Sequence, residues 1–133
     1  MKRAAILAAI LFSAAGATVS TAAPSSGGSS AVAVLRQEVA DLNARNWKPY
    51  YALMGPRFHA TCTYRTFVAQ NAYVRTRIKS ASVKMIAAKV IGARAYLSYE
   101  TVAPPLKPFV TRNDLFVKLS GRWYDELDAV THC

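Results

Sequence analysis

Carboxylates are scarce in this chain of 133 residues, which has 7 Asp and Glu against 17 Lys and Arg and a formal net charge of +10. Cysteine and histidine are scarcer still, with 2 of each, and they do not form a recognised zinc-ligand spacing. The chain has no phosphate-cradling glycine loop and no nucleophile elbow. The sequence therefore predicts neither a metal nor a cofactor.

Residues 1–23 have the pattern of a secretory signal peptide. Lys2 and Arg3 precede an apolar stretch from Ala5 to Phe12, and small residues follow up to Ala23. We expect cleavage at that point and a secreted or cell-envelope protein. The Pro-, Gly- and Ser-rich residues 24–30 would form a flexible mature terminus.

The alternative is that the leader stays as a membrane anchor. Spanning a bilayer needs about 20 predominantly apolar residues, and Gly, Ser and Thr dilute the stretch after Phe12. Further along the chain no segment is long and apolar enough to cross a bilayer. We therefore expect no membrane span after signal cleavage.

The charge of the mature chain is strongly positive. Removal of Lys2 and Arg3 leaves 15 cationic side chains against 7 acidic ones, a balance of +8. Such a field favours an anionic envelope component as partner, although it could also serve solubility alone. Nucleic acid is not expected, because the leader directs export and the aromatic residues are not interleaved with a basic stripe.

The two cysteines, Cys62 and Cys133, are an even pair in a chain with an export signal. In an oxidising compartment such a pair predicts one disulfide. Two free thiols and an intermolecular bridge remain as alternatives.

The first half of the mature chain has helical periodicity. On its first segment, Val34, Leu35, Val39 and Leu42 form an apolar stripe, with Arg36, Glu38, Asp41 and Arg45 assigned to the other side. The predicted helices are residues 31–44, 46–54, 58–62 and 66–77.

After Lys79 the pattern changes to an alternation of period two. Strands are predicted over residues 82–90, 93–102, 109–119 and 122–128, with a tight turn at Ser120-Gly121. That turn would place Asp125 opposite Phe116. The fold class is α+β, with N-terminal helices packed on a curved antiparallel sheet in a single domain over residues 31–133.

Three stretches carry a family resemblance. They are Trp47-x-x-x-Tyr51-x-Leu53-Met54-x-Pro56-Arg57-Phe58, the segment Gly92 to Glu100, and Gly121-Arg122-Trp123-Tyr124-Asp125-Glu126. Together they resemble the small exported members of the nuclear transport factor 2-like, or cystatin-like, superfamily. The resemblance implies a sheet curled around the helices to form a cone-shaped cavity. Some members catalyse acid–base reactions and many only bind ligands, so the resemblance does not indicate which function this chain has. Members often pair sheet to sheet, so a homodimer is left open.

The first functional hypothesis is a non-catalytic domain that binds a small amphipathic ligand or an envelope partner. The residues expected to line its binding site are Tyr51, Tyr96, Tyr99, Trp123 and Asp125. The same domain could instead serve as a module of a larger envelope assembly.

The alternative is an isomerase- or dehydratase-like enzyme. Asp125 or Glu126 would transfer a proton from an apolar setting, with Tyr99 as the partner. His59 falls in the helical region, where a packing role is favoured over catalysis.

Overall fold

The computed structural model describes residues 27–126 and Cys133. The predicted signal peptide, residues 24–26, Asp128 and His132 lie outside the described residues, as does the end of the predicted last strand. Within the described part of the chain, no helix is long and apolar enough to cross a membrane.

Four helices precede the sheet in the described residues: α1 (Ala31–Ala44), α2 (Trp47–Ala52), α3 (Pro56–Thr61) and α4 (Tyr64–Arg77). Ser30 caps the N-terminus of α1, where its hydroxyl accepts a hydrogen bond of 3.0 Å from the Ala33 amide. Arg45 caps the C-terminus with a left-handed φ of 60°. These helices confirm the four predicted segments, with bounds that differ by a few residues.

Four antiparallel strands follow: β1 (Ser82–Ile91), β2 (Arg94–Val102), β3 (Phe109–Leu119) and β4 (Arg122–Asp125). They form one sheet in the order β1-β2-β3-β4. The α+β class is therefore confirmed, and so are the Ser120-Gly121 turn and the pairing of Asp125 with Phe116. Irregularities at Ile86 in β1 and around Asn113 in β3 interrupt the register, and bulges of this kind bend a sheet.

The two faces of the curved sheet have different environments. On the concave face, Ala95, Leu97 and Phe116 are 0% exposed and belong to the same core cluster as Val34 of α1. On the convex face, Arg94 and Tyr96 alternate with those buried residues along β2. Buried and less buried side chains therefore alternate along the first part of β2, as expected for a strand with one face against a core.

Backbone segments from outside the sheet cover the outer edge of β4. Gly28 and Trp123 exchange two hydrogen bonds of 2.9 Å. Further along, the Asp125 amide donates to the Leu53 carbonyl at 2.9 Å, and the Gly55 amide donates to the Asp125 carbonyl at 2.6 Å. These bonds protect the edge from pairing with another chain and fix Asp125 against the segment between α2 and α3.

The predicted disulfide between Cys62 and Cys133 is present, with a sequence separation of 71. Cys62 is 1% exposed and lies beside an aromatic cluster of α2, α3 and α4. Within this cluster the Tyr51 ring lies 5.2 Å from the Phe67 ring, and the Tyr51 hydroxyl donates a hydrogen bond of 2.6 Å to the Cys62 carbonyl. The disulfide thus ties Cys133 to the helical side of the core.

Reduction of this disulfide is expected to lower the free energy of unfolding by about 2–4 kcal/mol, because closing a long loop restricts the unfolded chain. Urea unfolding with and without dithiothreitol measures the difference. The matched control is the double variant Cys62→Ser/Cys133→Ser, whose stability dithiothreitol should leave unchanged. Identical unfolding midpoints for the oxidised and reduced wild type would contradict a stabilising role.

Candidate functional site

Four acidic side chains share the space between α1 and the concave face of the sheet. We call them the carboxyl cluster: Glu38, Asp41, Asp114 and Asp125. Glu38 and Asp41 of α1 are 6% and 3% exposed, whereas Asp114 of β3 and Asp125 of β4 are half-buried. The carboxyl cluster is therefore buried where it meets α1 and partly accessible to solvent where it meets the sheet.

Glu38 and Asp125 are joined by a hydrogen bond between their side chains. Two carboxyl groups can bond in this way only when one of them carries a proton. Burial raises the pKa of Glu38 well above its usual range, and the charges of Asp125 and Asp114 raise it further. Burial also raises the pKa of Asp125, although the bond from Glu38 works in the opposite direction. The pair therefore shares one proton, which the raised pKa values of both groups keep in place.

Two tyrosines complete the surroundings of this pair. The Tyr99 hydroxyl donates a hydrogen bond of 2.6 Å to Asp114 Oδ2. Burial raises the pKa of Tyr99 and of Tyr50 well above the usual value, and the neighbouring carboxylates add to the shift. Both phenols therefore remain protonated donors across the physiological pH range.

Two carboxyl oxygens of the cluster, Glu38 Oε1 and Asp41 Oδ2, are buried without a hydrogen-bond partner. An unsatisfied buried oxygen destabilises a fold by roughly 1–3 kcal/mol. Among the described residues, no group of three or more His, Cys, Asp or Glu side chains has an arrangement that could hold a metal ion. The residues of the cluster can transfer a proton or accept hydrogen bonds from a donor.

The assignment of Glu38 and Asp41 to the exposed side of α1 was wrong. Both side chains are buried, because residues 34, 38 and 41 lie on one face of a helix. Their positions relative to Val34 could have revealed this. Hydropathy alone predicts that carboxylates face solvent, because it does not take into account that a protonated carboxyl group can be buried.

The structure separates the two carboxylates that the sequence offered as alternative catalytic groups. Asp125 belongs to the carboxyl cluster, whereas Glu126 follows the end of β4 and points to α3. The Glu126 carboxylate accepts hydrogen bonds from the backbone amides of Arg57 at 3.3 Å and Phe58 at 3.0 Å. A Cβ atom on Gly55 would collide with this carboxylate. Glu126 therefore stabilises the first turn of α3, which is a structural role.

A second candidate site is an open groove of about 490 Å³ between the helices and the β3–β4 hairpin. The nine described residues that line it are Lys48, Tyr51, Ala52, Met54, Pro56, His59, Leu119, Ser120 and Tyr124. These nine residues are mostly apolar and aromatic; they include one Lys, Lys48, and no carboxylate. The His59 ring stacks on Tyr51 at 4.3 Å, and its Nε2 lies 2.8 Å from the Tyr51 carbonyl. This groove has the size and composition of a small-molecule site.

The five residues predicted to bind a ligand do not converge on one place. Tyr51 lines the groove, and Tyr96 lies on the convex face of the sheet. Tyr99 and Asp125 contribute to the carboxyl cluster and its surroundings. Trp123 is 7% exposed and packs in the core. The groove residues Tyr124 and Leu119 were missed, because nothing local in the sequence shows that the hairpin approaches α2 and α3.

Comparison of the chain with known protein families, with characterised proteins and with solved structures finds no match in any of the three.

The variant Glu38→Gln is expected to flatten the pH dependence of stability. The raised pKa of Glu38 means that the folded state holds a proton which the unfolded state releases near pH 4.3. Wild-type stability therefore falls as pH rises above that value, by about 1.4 kcal/mol for each unit by which folding raises the pKa. The amide can still donate to Asp125 and has no proton to lose. Chemical unfolding between pH 4 and pH 8 measures the slope.

The matched control is Glu100→Gln, which removes a carboxylate from the convex face of the same sheet. This variant should retain the wild-type slope. Parallel stability profiles for the wild type and Glu38→Gln would contradict a buried, proton-holding pair.

Proposed function

We propose that the chain is an exported, non-catalytic domain of the nuclear transport factor 2-like kind. Its groove binds a small amphipathic molecule with an apolar body and an anionic head. The groove lining supports this function best, because its described residues combine apolar and aromatic walls with Lys48 and include no carboxylate. Tyr51 and Tyr124 offer aromatic surface to the body, and Lys48 offers a charge to the head.

Separation of the groove from the proton-transfer groups favours binding over catalysis. Glu38, Tyr99 and Asp125 lie on the concave side of the sheet, and none of them is among the described residues that line the groove. A molecule held in the groove would therefore be out of reach of their protons, since acid–base catalysis needs hydrogen-bond contact.

Export is supported by two independent observations. Residues 1–23 carry the composition of a signal peptide, and the disulfide is consistent with an oxidising environment. The resemblance to the superfamily rests on the sequence stretches given above, and the order of helices and curved sheet agrees with it.

Dodecanoate, which has an apolar chain and an anionic head, is a suitable probe of the groove. We expect the oxidised wild type to bind it in a calorimetric titration. The charge reversal Lys48→Glu should weaken binding roughly three- to tenfold, the effect of changing one exposed ion pair. Ala52→Trp should abolish binding, because an indole would fill the groove.

The control is Lys107→Glu, which makes the same change of charge in an exposed loop outside the groove lining. It should leave the affinity within about twofold, because salt screens exposed charges over a Debye length of about 8 Å. Thermal unfolding confirms that each variant is folded. Equal affinities for the wild type, Lys48→Glu and Ala52→Trp would exclude the groove as the site.

The hydrogen-bonded pair of Glu38 and Asp125 favours a second candidate, an isomerase-like enzyme. In this candidate Asp125 would exchange a proton with a neutral substrate, and the Tyr99 hydroxyl, which donates to Asp114 in the free protein, would donate to the substrate instead. A β,γ-unsaturated ketosteroid is a suitable probe, because isomerisation to the conjugated enone changes its ultraviolet absorbance. Turnover that falls at least about 100-fold in Asp125→Asn, but not in Glu100→Gln, would support catalysis. Absence of turnover by the wild type would reject this reaction.

A further inference from the structure

Charges of opposite sign are segregated between the inside and the outside of the domain. Of the 15 Lys and Arg side chains in the described residues, 13 are exposed and 2 are half-buried. The six described Asp and Glu residues are all buried or half-buried. The outer surface is therefore more uniformly positive than the net charge alone suggests.

The convex face of the sheet adds exposed apolar side chains to this charge. Two neighbouring rows of cross-strand partners run across β1, β2 and β3. One row is Lys89, Tyr96 and Leu115, and the other is Ile91, Arg94 and Val117. We call these six residues the basic–apolar strip. It contains two exposed cations and no carboxylate, and its outer strands lie about 10 Å apart.

Three of the six residues of the strip are exposed, and Tyr96, Leu115 and Val117 are half-buried. Ile91 is 57% exposed, and Lys89 and Arg94 are also exposed. Elsewhere on the same face Val110 and Leu119 are 45% and 42% exposed. The one described carboxylate assigned to this face, Glu100, is the cross-strand partner of Lys84 and lies several residues along β2 from Arg94. The strip thus presents cations and apolar groups side by side.

Charge complementarity selects the partner. A second copy of the chain is disfavoured, because two such faces would bring Lys89 and Arg94 against cations of the same kind. A purely polar polyanion would match the cations but would leave Ile91, Leu115 and Val117 without apolar contact. An anionic lipid surface satisfies both, since its headgroups attract Lys and Arg while its acyl boundary accepts apolar side chains.

We propose that the basic–apolar strip docks the domain on the surface of a bilayer that contains anionic lipids. The association is peripheral, and it uses residues other than those that line the groove. Membrane association can therefore be tested independently of ligand binding in the groove.

Co-sedimentation with vesicles tests the proposal on the mature, oxidised protein. Vesicles of phosphatidylcholine mixed with phosphatidylglycerol should bind it, and vesicles of phosphatidylcholine alone should not. The double variant Lys89→Gln/Arg94→Gln should bind the mixed vesicles roughly 25-fold more weakly, because each cation near an anionic surface contributes about 1 kcal/mol. In high salt the apolar contact remains, so Ile91→Ser should reduce the vesicle binding that persists under that condition.

The matched control is Arg36→Gln/Arg65→Gln, which removes the same charge from exposed positions on α1 and α4. It should change vesicle affinity by no more than about twofold at physiological salt. Thermal unfolding establishes that both double variants are folded.

Three outcomes would overturn the proposal. Equal weakening by the two double variants would show attraction by net charge without a defined face. Equal binding to the two kinds of vesicle would show that anionic lipid is not recognised. Retention on immobilised heparin without binding to mixed vesicles would identify an acidic polysaccharide as the partner.

Discussion

The hydrogen bond between Glu38 and Asp125 is the interaction on which the arrangement of the domain depends. It joins the first helix to the last strand, and backbone bonds hold Asp125 to Leu53 and Gly55. Three parts of the chain that are distant in sequence therefore meet at one carboxyl pair. Because Glu38 is buried against Asp125, the pair keeps a proton, and the packing of α1 on the sheet is linked to protonation.

The burial of acidic groups also determines what the surface can recognise. A domain that holds its carboxylates inside and its cations outside presents a positive field to every approaching molecule. The two proposed sites use this field at different scales. In the groove, Lys48 offers one cation beside aromatic walls, whereas the basic–apolar strip offers two cations on an extended face. Each of the two sites favours anionic and amphipathic partners.

Local patterns in the sequence predicted much of the fold. The change to period-two alternation after Lys79 predicted the strands, and the Ser120-Gly121 turn fixed the register that places Asp125 opposite Phe116. The even pair of cysteines predicted the disulfide. These features depend on neighbouring residues or on the number of a residue type, and such information is present in a single sequence.

The candidate sites were harder to predict from the sequence than the fold. Glu38 was placed on the wrong side of α1, because hydropathy treats every carboxylate as a charged, solvated group. Asp114 has the same alternation phase as Phe116, but its meeting with Tyr99 depends on the curvature of the sheet. The groove forms where α2, α3 and the β3–β4 hairpin approach one another, and only the tertiary structure brings them together.

Nuclear magnetic resonance of the isotopically labelled, oxidised domain during titration with dodecanoate can locate the binding site directly. If the groove binds the ligand, the largest amide shift changes occur at Tyr51, Ala52 and Tyr124. Shift changes centred on Glu38, Tyr99 and Asp125 would contradict binding in the groove, because they would place the ligand at the proton-transfer groups and favour the enzyme.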